Sequence, residues 1–398
     1  IAEILSREGH NVILIEKNST LASETTREFH EWLHTGALYT LVPTRDTIIR
    51  FILGAIDDLI EYYSSFDKMN IIPTINGLKI DNISSGWFND EYIHFNFRIK
   101  NRKIALPWII GVARSIYLME NIHNHDWLRR RAGEIKHNKS GRSSRIIDLI
   151  IELYKHKELF KSYKTSDFTI NSRNILRDLI ATSIDNGLEI SLNNNIKNIK
   201  DFNDHKIING SKDSISANNI VICTGAGLDK FTDVELKTSY APIAVVSGVP
   251  ENTESFVELD YFPKNCINLL KKENGFGLAG GISFSDKSKC NSYLDYVINR
   301  HKVSTPTITE ESRYIGVKTE ARFKNQPRNY LYNIVNPQKG TWVIVPGKFT
   351  LAFSLAPEFY RRVYKKNPQK HYDTVNHNAN NIQVSNTVWM DELKKKGD

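Results

Sequence analysis

The run NVILIEK ends on Glu16. A carboxylate at the end of a buried strand can accept a hydrogen bond from a ribose hydroxyl, as the second strand of a dinucleotide-binding fold does. An ordinary α/β unit shows the same helix, turn and strand, so this segment alone leaves both readings open. Downstream lies LASETTREFHEWLHTGALYT, a loop-rich stretch dense in Ser and Thr. Arg129, Arg130, Arg131, Lys136, Lys139, Arg142 and Arg145 form a basic run. Such a run is a solvated helix face, or a patch for anionic lipid or nucleic acid. It lacks the interleaved aromatics that single-strand binders use. The formal net charge of +8 suits anionic ligands. Cys223, Cys266 and Cys290 are far apart and fit no CxxC pattern. That argues against a disulfide framework and a zinc site, and for a reducing, cytoplasmic setting.

The elements that must position these groups follow from periodicity. IAEILSREG places Ile1, Ile4 and Leu5 on one helical face, with Gly9 as the stop. NVILIEK is then a parallel strand covered on both faces. Residues 46–65 read as a helix, and residues 74–126 as short strand-like runs. FTINSRNILRDLIATSIDNG carries a cap at Asn171 or Ser172. Its apolar stripe is Ile175, Leu176, Leu179, Ile180 and Ile184, and Gly187 is its stop. Short strands follow, then a polar hairpin turning at Asn209-Gly210, then IVICTGAG, a buried strand ending in a glycine turn. Residues 240–300 read as alternating strands and loops, residues 314–345 as three strands, and PGKFTLAFSLAPEFYRRVYKK as loop and helix. The tail from Pro368 reads as partly disordered. No apolar run approaches the roughly 18 residues of a membrane span. The nearest, Ile104 to Met119, is broken by Pro107 and Arg114. The start inside a helix reads as a truncated N-terminus and not as a signal peptide.

In this order the segments resemble the D-amino-acid oxidase and glycerol-3-phosphate dehydrogenase superfamily of FAD enzymes. The resemblance runs from residue 1 to about residue 366 and is sharp in four segments. GHNVILIEK is similar to the family's second strand, with Glu16, followed by Lys17, where the family acid holds the adenosine ribose. ASETTREFHEWLHTGALY resembles the pattern Ala-Ser-x-Thr-Ser-(seven residues)-His-x-Gly-x-x-Tyr. It puts Ser23, Thr25, Thr26, His34, Gly36 and Tyr39 on the marked positions. The resemblance implies that this loop passes the pyrophosphate and runs beneath the flavin, where hydroxyls and N–H groups suit phosphate oxygens and Gly36 allows close approach. NNIVICTGAG resembles the strand that lines FAD with Thr224, Gly225 and Gly227, and Ile196 matches a position beside the adenine. VPGKFTLAFSLA resembles the last loop, in which Gly347, Lys348, Phe349 and Thr350 face the flavin O2 side. The positive end of a helix there would stabilise an anionic reduced flavin. The family's first strand and Gly-x-Gly-x-x-Gly loop are missing.

The resemblance also implies site chemistry. Trp32-Leu33-His34-Thr35-Gly36 is similar, with an offset of one residue, to a context in which a histidine bonds FAD covalently. His34 is expected to pack beside the flavin without that bond, and His30 to be a loop histidine. Gly316-Val317-Lys318-Thr319 is similar to a segment whose cation binds the substrate's anionic group, with Arg322 and Arg328 as nearby alternatives. Lysine supplies the charge but not the bidentate fork of arginine. The expected fold is α/β, with a Rossmann-like FAD-binding domain (residues 1–45, 150–239 and 333–366), a mixed-sheet substrate domain (46–149 and 240–332) and a tail (367–398). The expected activity is hydride transfer to flavin N5 from a small, anionic amine or amino acid, 2-hydroxy acid or polyol phosphate. The GKFT loop leans toward the phosphate branch. Oxygen or a quinone is the expected acceptor, with peripheral membrane contact as an option and nucleic acid disfavoured as a partner. The alternatives are a non-catalytic flavoprotein module and a flavin-bearing RNA-modifying protein.

Overall fold

The computed structural model describes residues 1–36, 45–74, 77–100, 109–114, 116–117, 139–155, 158–202, 204–231, 235–260, 266–321, 331–345, 347–372 and 382–397. Tyr39, Arg129, Arg130, Arg131, Lys136, Arg322 and Arg328 lie outside the described residues.

Helix α1 (Ala2–Arg7) turns at Gly9, φ +76°, into strand β1 (Val12–Ile15). Glycine enters that left-handed region without a Cβ penalty. The chain continues through β2 (Trp32–Leu33), α2 (Arg45–Tyr63), the hairpin β3 (Ile71–Thr74) and β4 (Gly77–Ile80), then β5 (Phe88–Lys100), α3 (Lys139–Lys155) and β6 (Glu158–Ile170). Helix α2 lies where periodicity predicts one. Helix α4 (Ser172–Asp185) is capped by Asn171, whose side chain accepts the Asn174 N–H at 3.1 Å. Next come β7 (Leu188–Ser191), the meander β8 (Asn198–Asp201), β9 (Lys206–Asn209) and β10 (Ser214–Ala217), and β11 (Ile220–Ile222). The rest is β12 (Leu236–Ser247), β13 (Phe256–Asp260), β14 (Ile267–Lys271), β15 (Gly277–Gly281), α5 (Cys290–Ser304), β16 (Thr309–Ala321), β17 (Asn333–Gln338), β18 (Thr341–Val345), α6 (Ala352–Tyr364) and α7 (Val388–Gly397).

Two small parallel pairings, β1 with β7 and β11 with β18, make the nucleotide-fold side. Their continuous apolar strands need cover on both faces. Helix α1 packs on α6 through Ile4, Ala356 and Tyr360, and Ile344 of β18 packs on Leu355 and Phe359. The larger sheet has eight strands in the order β16-β12-β15-β14-β13-β5-β6-β2. It is mixed, since β13 runs parallel to β5 while its other pairings are antiparallel. Strands β2 and β6 join it from residues 1–45 and 150–239. Strand β12 is buried on both faces by alternation: Ala244 and Val246 meet Leu294, Val297 and Ile298 of α5, while Ile243 and Val245 share a cluster with Trp389 of α7.

Both covering helices correct the sequence reading. Helix α5 lies where strands and loops were expected. Its buried stripe of Cys290, Tyr293, Leu294, Val297, Ile298 and His301 has helical spacing, but a tyrosine and a histidine weaken its apolar signal. Helix α7 lies in the tail expected to be partly disordered. Its polar composition hides one anchor, Trp389, only 4% exposed. Among the described residues, no helix is long and apolar enough to cross a membrane.

Candidate active site

A cavity of about 2590 Å³ runs from the ends of β1 and β11 to the large sheet. Glu16, Lys17, Ser23, Thr25, Thr26, His34, Ile196, Thr224, Gly225, Gly227, Lys318, Gly347, Lys348 and Phe349 all line it. The folding of distant segments thus brings most of the sequence candidates to one space. Gly36 and Thr350 are buried but stand off the cavity wall.

At one end Glu16 follows β1, and its Oε1 accepts the Asn18 N–H at 2.9 Å. Asn18 donates in turn to Ser23 Oγ at 2.7 Å, and Lys17 pairs with Glu24. Thr25 Oγ1 donates to the Val317 carbonyl at 3.2 Å, tying the hydroxyl-rich loop to β16. Beyond β11, Gly225 takes φ +56° and opens a short 3-10 turn, Gly225–Lys230. Gly347 is sterically required, because a Cβ there would stand 2.7 Å from the Tyr332 amide nitrogen and 2.8 Å from the Leu331 carbonyl carbon. Its loop enters α6 through the turn Phe349–Leu351, with the Leu351 N–H donating to the Lys348 carbonyl at 2.9 Å.

At the other end stands His34, between β2 and the GKFT loop. Its backbone N–H donates to Thr350 Oγ1 at 2.8 Å, and its ring lies 4.1 Å from the Trp32 ring, tilted by 36°. Its Nδ1 is 3.6 Å from Asp167 Oδ2. Burial drives its pKa down to about 4; Asp167 opposes the fall, and the charges of Lys348 and Lys318 add to it. The ring is therefore neutral at pH 7. Lys318 pairs with Glu320 at 2.6 Å, with both side chains largely buried.

His30, expected to be a loop histidine, also lines this cavity. Burial takes its pKa down to about 3, helped by the charges of Lys272 and Lys348. It fits because residue 280 is glycine: a Cβ there would meet His30 Nε2 at 2.9 Å. The neighbouring Glu31 adopts φ +55° and is buried against Lys272, Ser172 and Trp389. Sequence reasoning missed Asp167, Glu31, Lys272 and Asn268. An aspartate inside SDFTI is the faint signal available for Asp167; the others carry none, since their partners are remote in sequence.

The donor set fits FAD. A carboxylate ends β1, glycine turns follow β11 and precede α6, and the Gly347 cradle excludes a side chain. The family model for FAD-dependent oxidoreductases (DAO) matches residues 1–268. No curated protein matches the chain. Among solved structures, L-proline dehydrogenase from P. horikoshii is 10% identical, with 94% of this chain and 91% of that chain covered and a TM-score of 0.57. NikD, an amino acid oxidase of nikkomycin biosynthesis, is 12% identical over 92% and 91%, with a TM-score of 0.61. L-α-glycerophosphate oxidase from Mycoplasma pneumoniae is 12% identical over 98% and 96%, with a TM-score of 0.59. These likenesses are of fold, and the family match extends from α1 into β14. The chain belongs to the FAD-dependent oxidoreductase family and is an FAD-dependent oxidoreductase.

Proposed function

We propose that the enzyme oxidises a small anionic amine or amino acid, 2-hydroxy acid or polyol phosphate at the carbon bearing nitrogen or oxygen. Bound FAD supplies a hydride acceptor at flavin N5. In this reading Glu16 receives the adenosine ribose and Ile196 packs beside the adenine. Ser23, Thr25, Thr26, Thr224 and Gly225 line the pyrophosphate path. Gly347, Lys348, Phe349 and Thr350, leading into α6, face the flavin. The segments 46–149 and 240–332 carry most of the large sheet as the substrate part, and oxygen or a quinone reoxidises the cofactor.

The observation that supports the reading best is the electrostatics around His34. Lys348 and Lys318 both line the cavity and act on this ring, against the opposing Asp167 carboxylate, so two cations stand at that end of the cavity. An anionic group bound there would gain charge-assisted hydrogen bonds of roughly 1.5–3 kcal/mol. Lys318 shares its charge with Glu320, so the two lysines act jointly and neither alone defines the anion site. The names of the neighbouring structures, proline dehydrogenase, amino acid oxidase and glycerophosphate oxidase, span the same substrate classes.

Anaerobic mixing of the FAD-loaded enzyme with amino acids, hydroxy acids and polyol phosphates tests this. A member of the panel should bleach the visible flavin absorbance, and its neutral ester or dephosphorylated form should act far more slowly. Equal rates with the neutral forms would remove the anionic substrate from the reading.

A further inference from the structure

The loop that brings Ser23, Thr25 and Thr26 to the cavity is strained at both ends. Ala22 and Glu31 each take φ +55°. A residue with a Cβ persists in that left-handed region only where its surroundings over-determine it. The middle of the loop is tied to β16 through Thr25 and through Glu28, whose carboxylate accepts the Val317 N–H at 3.1 Å. The two strained ends are held by the C-terminal segment.

At the first end the Leu21 N–H donates to the Gln383 carbonyl at 2.9 Å, and the Ser385 N–H donates to the Leu21 carbonyl at 3.0 Å. This parallel bridge of Leu21 with Val384 buries both side chains, and the Thr20 and Ser385 hydroxyls join beside it. Arg173, fully buried at the start of α4, spans loop and tail. It donates to the Ser385 carbonyl at 2.6 Å and to the Thr26 carbonyl at 3.2 Å. At the second end the Trp389 indole N–H donates to Glu31 Oε2 at 2.9 Å. Between the two, Arg27 pairs with Asp391, which also accepts from the Asn386 side chain at 3.0 Å. Leu21 and Val384 both line the cavity.

We propose that residues 383–391 are part of the cofactor site. They hold the loop of residues 22–31 in the shape that presents its hydroxyls and N–H groups to the FAD pyrophosphate, and Ser385 and Trp389 are positioning residues. The segment lies beyond residues 1–268, which the family model matches, so that match gives it no role. The coupling is reciprocal: a segment that strengthens FAD binding is itself held more firmly when FAD is bound. This inference rests on the reading above, in which Ser23, Thr25 and Thr26 line the pyrophosphate path.

The test combines hydrogen exchange with flavin fluorescence titration on the full-length protein. FAD should slow exchange of the Leu21 and Ser385 amides several-fold. Ser385→Pro removes one amide of the bridge together with the hydroxyl, and Trp389→Phe keeps a ring but loses the indole N–H. The double variant Ser385→Pro/Trp389→Phe, folded by circular dichroism, should bind FAD roughly 10- to 100-fold more weakly, at up to about a decade per lost hydrogen bond. A folded double variant that binds FAD as tightly as wild type would overturn the proposal. So would exchange at both amides that FAD leaves unchanged. If the double variant does not fold, the wild-type exchange decides. A full-length protein that takes up no FAD removes the cofactor reading as well, whereas unchanged exchange with FAD bound removes this proposal alone.

Discussion

Lys272 Nζ donates to Glu31 Oε2 at 2.9 Å, and each of these side chains is only 3% exposed. Glu31 also accepts from the Trp389 indole at 2.9 Å and from the Ser172 hydroxyl at 2.6 Å, so one carboxylate joins the site loop, the residue that follows β14, α4 and α7. Removing one partner of a buried pair strands the other. Lys272→Met should therefore cost about 3–5 kcal/mol of stability, measured by urea denaturation. The double variant Glu31→Leu/Lys272→Met should lose less, because no charge is left buried alone. A Lys272→Met protein as stable as wild type would show that the pair contributes little.

Three buried histidines give stability a dependence on pH. Burial, as the largest cause, takes His30 down to about 3 and both His34 and His301 to about 4, against 6.5 for the free side chain. Their folded pKa values lie below the unfolded one, so their contribution is complete above pH 6.5 and is lost as pH falls toward 4. Each group adds a slope of up to about 1.4 kcal/mol per pH unit in that window. Glu31 adds a loss at still lower pH: burial would raise its pKa, but Lys272, Ser172 and Trp389 hold it below 4.5. Denaturation at pH 7.5, 6 and 5 should give steadily lower midpoints. Equal midpoints at all three would mean that the rings are not held neutral.

Gly347 separates cofactor binding from general stability. Gly347→Ala places a methyl against the Tyr332 and Leu331 backbone, and overpacking of this kind costs roughly 1–3 kcal/mol. The loop that must shift to relieve it is the one proposed to face the flavin. FAD affinity, followed by flavin fluorescence, should fall more than the melting temperature of the FAD-free protein. The opposite order would place Gly347 in the scaffold alone.

Lys318→Met removes charge while keeping most of the stem. The Michaelis constant for an anionic substrate should rise by roughly ten- to a hundredfold, at 1.4 kcal/mol per decade, with FAD affinity almost unchanged. Glu320 complicates the variant by losing its partner, so Lys318→Met/Glu320→Gln should bring back stability but not affinity. If Lys318→Met binds substrate as wild type does and Lys348→Met does not, the anion is held by the GKFT loop.

What was legible in the sequence is what depends on neighbours in the chain. The turn at Gly9, the apolar strand ending in Glu16, the Asn171 cap and the glycines after β11 each declare themselves within a few residues. The site's buried partners do not. Asp167 and Thr35 stand 132 residues apart, and Glu31 and Lys272 stand 241 apart. No periodicity links such pairs, and a lone Asp or Lys inside a strand looks like a solvent-facing residue until its partner is placed. His30 does lie in a loop, but its place in the cavity was hidden for the same reason, because the glycine that admits its ring lies on β15. Helices α5 and α7 were lost to a different cause. Each buries its face with tyrosine, histidine or a single tryptophan, which hydropathy undervalues.

The missing side chain at Gly280 makes two positions interdependent. Where a Cβ would stand, the His30 ring is 2.9 Å away and the Pro242 carbonyl oxygen 3.0 Å away. An alanine at 280 can be accommodated only if residue 30 becomes smaller or its ring swings out of the cavity. Among related sequences, then, these positions should covary: histidine at 30 should come with glycine at 280, and larger residues at 280 with loss of the imidazole.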